Sequence, residues 1–119
     1  MWRAILSWSL LGVVCLGCDL GDQPLSEVDP EAAPAEPTWT EHVQPLMEIY
    51  CTACHAPDAQ TGESEGYGFD TCAKTKRAWG PLYQSTFVVR DMPPGGAPRP
   101  LSWELLTLER WHAQGARCD

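Results

Sequence analysis

The chain is short of positive charge, having 8 Lys and Arg against 16 Asp and Glu, with an estimated pI near 4.7. A nucleic-acid binder wants a basic face, so that class is excluded. There is no alternating polar and apolar stretch of the kind a half-buried strand writes, which leaves an all-α reading. The one long apolar run, residues 4–17, falls short of the roughly 20 residues that span a bilayer comfortably. No Ser/His/Asp arrangement, phosphate-binding loop or carboxylate pair offers hydrolytic or phosphoryl chemistry. At 119 residues there is room for one domain.

What is present begins with an export pattern. Arg3 is followed by the apolar run 4–17, then small Gly17, and from Asp19 onward the character is acidic. Residues 1–17 therefore read as a signal peptide, and the mature part as exported, periplasmic or on the outer face of a membrane. Cys18 directly after Leu16-Gly17 resembles the bacterial lipoprotein signal, in which that cysteine is the first mature residue and carries the lipid. Cys15 stands where that signal usually has Leu, Val or Ile, and an ordinary cleavage nearby is the alternative. Residues 18–38 form a second zone. From Asp19 to Thr38 there are four prolines and six acidic residues, no Lys or Arg, and little to bury beyond Leu20, Leu25 and Val28. Such a segment predicts a disordered, self-repelling tether.

The folding unit is expected over 39–119, which is marginal for a core made of side chains alone. Three helical segments are predicted. The first runs from Thr40 to about Cys51, with Val43, Leu46, Met47 and Tyr50 on one face. Pro45 lies too deep for a helix capped by Thr40, so this helix starts nearer Val43 or is kinked. The second starts near Thr71 and is expected to break at Gly80-Pro81, with an apolar piece of ambiguous type over 82–89. The third is capped by Ser102, sets Leu105, Leu108, Trp111 and His112 along one side, and closes at Gly115.

The chemistry is concentrated in Cys51-Thr52-Ala53-Cys54-His55. Two thiols separated by two residues reach both vinyl groups of one haem and form thioethers, and the adjacent histidine comes under the iron as an axial ligand. Half a zinc site is the competing reading, but no second Cys-x-x-Cys lies in the folding unit. A thioredoxin-like redox pair is another, but the βαβ pattern that accompanies one is missing. The sixth iron position has four candidates in Met47, Met92, His42 and His112. Met92 stands out because Met92-Pro93-Pro94-Gly95-Gly96 combines prolines that stiffen a loop with glycines that let backbone approach a flat cofactor.

Val43-Gln44-Pro45-Leu46 leading into Cys51-Thr52-Ala53-Cys54-His55, then Met92-Pro93-Pro94-Gly95-Gly96, then a closing helix with Trp111, resembles class I cytochromes c of the small bacterial type. The resemblance covers about residues 40–116. It implies a fold of three to five short helices with long loops around one covalent haem c, His55 and Met92 as axial iron ligands, and crossed first and last helices that set Tyr50 or Leu46 near Trp111. Residues 56–68 depart from the pattern in being mostly polar. His–Met ligation leaves no open iron position, so the expected function is one-electron transfer between redox partner proteins rather than enzymatic turnover. The alternative is a haem sensor or peroxidase-like protein in which the sixth ligand is displaced. Cys72 and Cys118 remain, and in an oxidising compartment they are expected to pair, the alternative being two free thiols or pairing with another chain.

Overall fold

The computed structural model describes residues 30–59 and 66–119. The signal segment and Cys18 lie outside the described residues. Among the described residues the chain is helical with no strand, as an all-α reading requires. The described helices include no segment long and apolar enough to cross a membrane.

The chain enters through a π-helical turn, Trp39–Val43, that runs straight into helix α1, Gln44–Tyr50. The N-cap is Thr38, two residues earlier than expected, and its hydroxyl accepts the Glu41 amide at 3.4 Å. The wide turn resolves the problem of Pro45. Continuous α-helix from Thr38 would have placed the proline ring against the Glu41 carbonyl. The π turn instead carries the Gln44 amide back to the Trp39 carbonyl and restarts the α-helix with Pro45 in its first positions. The kink anticipated from Pro45 takes this form.

Helix α2, Cys72–Arg77, is capped by the Thr71 hydroxyl, which accepts the Lys74 amide at 3.2 Å. The predicted break at Gly80-Pro81 does not occur there. The chain breaks at Ala78, and α3, Trp79–Tyr83, carries Gly80-Pro81 within its first turn. Pro81 is the third residue of that helix, where an amide hydrogen has no intrahelical partner to lose. A second π turn, Gln84–Val88, follows without interruption, so the ambiguous 82–89 piece is helical.

The last helix, α4, spans Ser102–Ala113. Its N-cap is Leu101 rather than Ser102, and the Glu104 carboxylate supplies the cap by accepting the Leu101 amide at 2.7 Å. The buried stripe is Glu104, Thr107, Leu108 and Trp111, whereas His112 is exposed, so the expected face is rotated slightly. Gly115, at φ +102°, closes the helix in the left-handed region that glycine enters freely.

The core gathers Trp39, Val43, Leu46 and Met47 from the first helical run with Phe69, Leu82, Leu108 and Trp111. Trp111 is 1% exposed, its ring centroid 5.7 Å from that of Trp39, and Trp79 meets it edge-on at 6.3 Å. The first and last helices therefore share one core. They are also joined at the α1 end, where the Tyr50 hydroxyl donates to Glu104 at 2.8 Å. The sulfurs of Cys72 and Cys118 are at disulfide bonding distance, with Cα atoms 5.7 Å apart, tying α2 to the tail beyond α4. That tail returns to the start of the domain, where Asp119 accepts the Trp39 amide at 2.8 Å.

Residues 30–38, read above as the end of the tether, lie on α4. Arg110 donates to the carbonyls of Pro30, Ala33 and Pro34, the closest at 2.7 Å, and Gln114 donates to Ala35 at 2.6 Å. Proline-rich backbone has few amides but all its carbonyls, so a guanidinium with five donors is well matched to it. Ala33 and Pro37 are buried under this strap.

Candidate haem-attachment site

Helix α1 ends on the motif. The Cys51 amide donates to Met47 and so does that of Thr52, after which the Cys54 and His55 amides both turn back to the Cys51 carbonyl. The backbone thus folds Cys51, Cys54 and His55 into one tight turn at the end of a packed helix. Both cysteines are free thiols and both are half-buried. Burial pushes the Cys51 thiol up to about 12. A redox or nucleophilic Cys-x-x-Cys has the opposite signature, a lowered thiol.

His55 is held by its other end. Its Nδ1 lies 2.7 Å from the Tyr67 carbonyl, the Phe69 amide donates to the His55 carbonyl at 2.9 Å, and the Phe69 ring packs 5.0 Å from the imidazole. A carbonyl can only accept, so the proton sits on Nδ1 and the Nε2 lone pair is left for coordination. Fixing a ligating histidine through its second nitrogen is how proteins set both its tautomer and its ring orientation. Two free thiols and an imidazole whose Nε2 is uncommitted are the donor set that a covalently bound haem would need. Among the described residues no three His, Cys, Asp or Glu side chains converge as for a bare metal ion.

The four candidates for a sixth ligand occupy different environments. Met47 is 1% exposed and belongs to the core. His42 is used by the helix start, its Nδ1 accepting the Thr38 amide at 3.1 Å. His112 stacks on Trp79 with centroids 4.3 Å apart and planes 6° from parallel. Met92 lies on the loop after the second π turn, its amide donating to Ser85 at 3.3 Å and its side chain 39% exposed. Of the four, Met92 is the one whose side chain is neither packed in the core nor used as a cap or in a ring stack.

Sequence reasoning missed two residues, Tyr67 and Glu104, and placed Tyr50 at the helix crossing without its bond to Glu104. Tyr67 acts through its backbone carbonyl, which any residue possesses, so no side-chain pattern marks it. Tyr50 and Glu104 are 54 positions apart, and their bond depends on the helix crossing. A Tyr immediately before the motif and a Glu on the apolar side of the last helix were the visible signal. Compared with known proteins, the chain matches no family model, curated protein or solved structure.

Proposed function

We propose that this chain is a small monohaem c-type cytochrome of the class I kind, carrying single electrons between protein partners outside the cytoplasm. The observation that carries this reading is His55, whose Nδ1 is committed to the Tyr67 carbonyl beside two free thiols of the same turn. Cys51 and Cys54 would hold the haem as thioethers, each thiol adding its sulfur and its hydrogen across one vinyl double bond with nothing released. His55 and Met92 are the residues that would hold the iron of such a haem. Haem so held supplies a one-electron iron couple. The protein contributes ligand choice, burial and a docking surface.

In this reading residues 1–17 direct export and Cys18 anchors the mature chain to a membrane through lipid. Residues 30–38, strapped to α4, belong to the folded domain rather than to the tether.

Co-expression with a haem-attachment system tests the reading. The protein should stay red after acid–acetone extraction, and Cys51→Ser with Cys54→Ser should come out colourless. A wild-type protein that loses all colour in the extraction is not a c-type cytochrome. The exposure of Met92 favours one second reading, a haem sensor or peroxidase-like protein with a displaceable sixth ligand. Avid carbon monoxide binding by the reduced protein would select that alternative over electron transfer.

A further inference from the structure

The loop that carries Met92 has a construction that its function as a ligand arm does not by itself require. The second π turn ends at Val89, whose amide returns to Gln84 at 2.8 Å. Arg90 then takes φ +63°, the left-handed region that side chains with a Cβ avoid, and reverses the chain. Met92 comes next but one, and its amide bonds back to Ser85. The far end of the loop is Arg99, whose Nη2 donates to the carbonyl of Arg90 at 3.0 Å. Between them the Ala97 amide donates to Pro94 at 3.0 Å, Gly96 turns at φ +88°, and Pro93 is buried.

An unfavourable dihedral persists where its surroundings hold it, and such outliers gather at functional sites. Here the holding group is identifiable. Arg99 grips the carbonyl of the strained residue itself, and closes a loop whose second residue after the strain is Met92. We propose that Arg99 is a positioning residue for the sixth ligand: its bond to the Arg90 carbonyl fixes the base of the loop and so keeps the Met92 thioether in place against competing ligands. The proposal rests on the assignment of Met92 to the iron. It goes further in naming what decides how firmly that ligand stays. Loss of the bond frees Arg90 to relax to an ordinary φ, and a rotation at that position swings everything after it, Met92 first.

The test uses the full haem-loaded protein and four variants. Arg99→Ala should keep its covalent haem, weaken the methionine–iron charge-transfer band of the oxidised form, and bind carbon monoxide in the reduced form about tenfold more tightly. Arg99→Lys, which still offers one donor to the Arg90 carbonyl, should recover part of both signals. Arg90→Gly removes the strain while keeping the carbonyl, and should leave the band as strong as in the wild type. Met92→Ala should lack the band altogether.

Amide exchange at Met92 separates the loop from the ligand. If Arg99→Ala speeds exchange at Met92 but leaves the band and carbon monoxide affinity unchanged, Arg99 holds the loop without positioning the ligand, and the proposal is wrong. If exchange, band and affinity are all unchanged, the bond is idle and the proposal is wrong again. A wild-type protein with covalent haem but no methionine band instead overturns the assignment of Met92, and this proposal with it.

Discussion

At the scale of single residues, the site depends on polar atoms whose partners leave little choice. His55 must carry its proton on Nδ1 because the Tyr67 oxygen accepts only, and this bond would be lost in any chain that moved Gly66–Gly68 away. Glu104 is 7% exposed and accepts from two donors, the Tyr50 hydroxyl and the Leu101 amide. Removing one donor from a buried carboxylate costs more than the net worth of the bond, because the charge left behind is less well solvated. Tyr50→Phe is therefore expected to destabilise the fold by about 1–3 kcal/mol, read as a lowered denaturant midpoint at neutral pH.

The same pair predicts an alkaline limit. Tyr50's phenol is raised above its usual 10.0, first by desolvation and then by the hydrogen bond to Glu104 and its charge. A group whose native value is raised contributes stability that is whole below the unfolded value and disappears as pH climbs through the native one. Wild-type stability should thus fall as pH rises beyond 10, and the fall should be shallower in Tyr50→Phe. Equal slopes in the two proteins would show that the Tyr50–Glu104 pair is not its source.

At the scale of elements, the short helices stand on packing, since α1 and α3 have no side-chain cap at their starts. Helix α1 has seven residues and α3 five, well below the length at which an isolated helix persists in water. Packing supplies what propensity does not, with Leu46 and Met47 buried on α1 and Leu82 on α3. The strap on α4 is an element of the same kind, a turn at 30–32 followed by bends without helix or strand, held by Arg110 and Gln114. Arg110→Ala should release residues 30–35 without unfolding the domain. Proteolysis confined to this stretch, with a loss of about 1 kcal/mol in global stability, is the expected signature. Nicking elsewhere, or none at all, would mean that Arg110 is not the clasp.

At the scale of the molecule, closure comes from the tail. Cys118 joins Cys72, Asp119 accepts the Trp39 amide, and the Trp111 indole donates to the Arg117 carbonyl at 3.1 Å. The disulfide bridges a separation of 46 residues, which in the chain-entropy model is worth roughly 3–4 kcal/mol. For a domain of about 80 residues that is a large share of the 5–15 kcal/mol typical of folded proteins. Cys72→Ser with Cys118→Ser should lower the melting temperature by on the order of 20 °C. Covalent haem adds a second staple in the proposed reading, so the double-serine variant should survive far better loaded than unloaded.

Much of this protein is written locally. The all-α character, the Thr71 cap, the buried face of the first helix and the haem-type spacing of Cys51, Cys54 and His55 all come from patterns a few residues long. The pairing of Cys72 with Cys118 was legible too, because the other four cysteines already had places in the reading. Local rules did less well where two of them competed. Gly80-Pro81 is both a helix breaker and a good helix start, and only the packing of Leu82 into the core selects the start. Ser102 is a better cap by type than Leu101, but a carboxylate from Glu104 already satisfies that helix end. Charge and proline content made residues 30–38 read as free chain, because nothing local announces Arg110 some 80 positions away. What the amino-acid sequence determined by itself is the chemistry: which thiols, which imidazole and which thioether are on offer. What only the tertiary structure decided is their poise, through Tyr67 on His55, Glu104 on Tyr50 and Arg99 on Arg90. Two of these bonds end on backbone carbonyls and the third joins distant helices, so no local side-chain pattern encodes them.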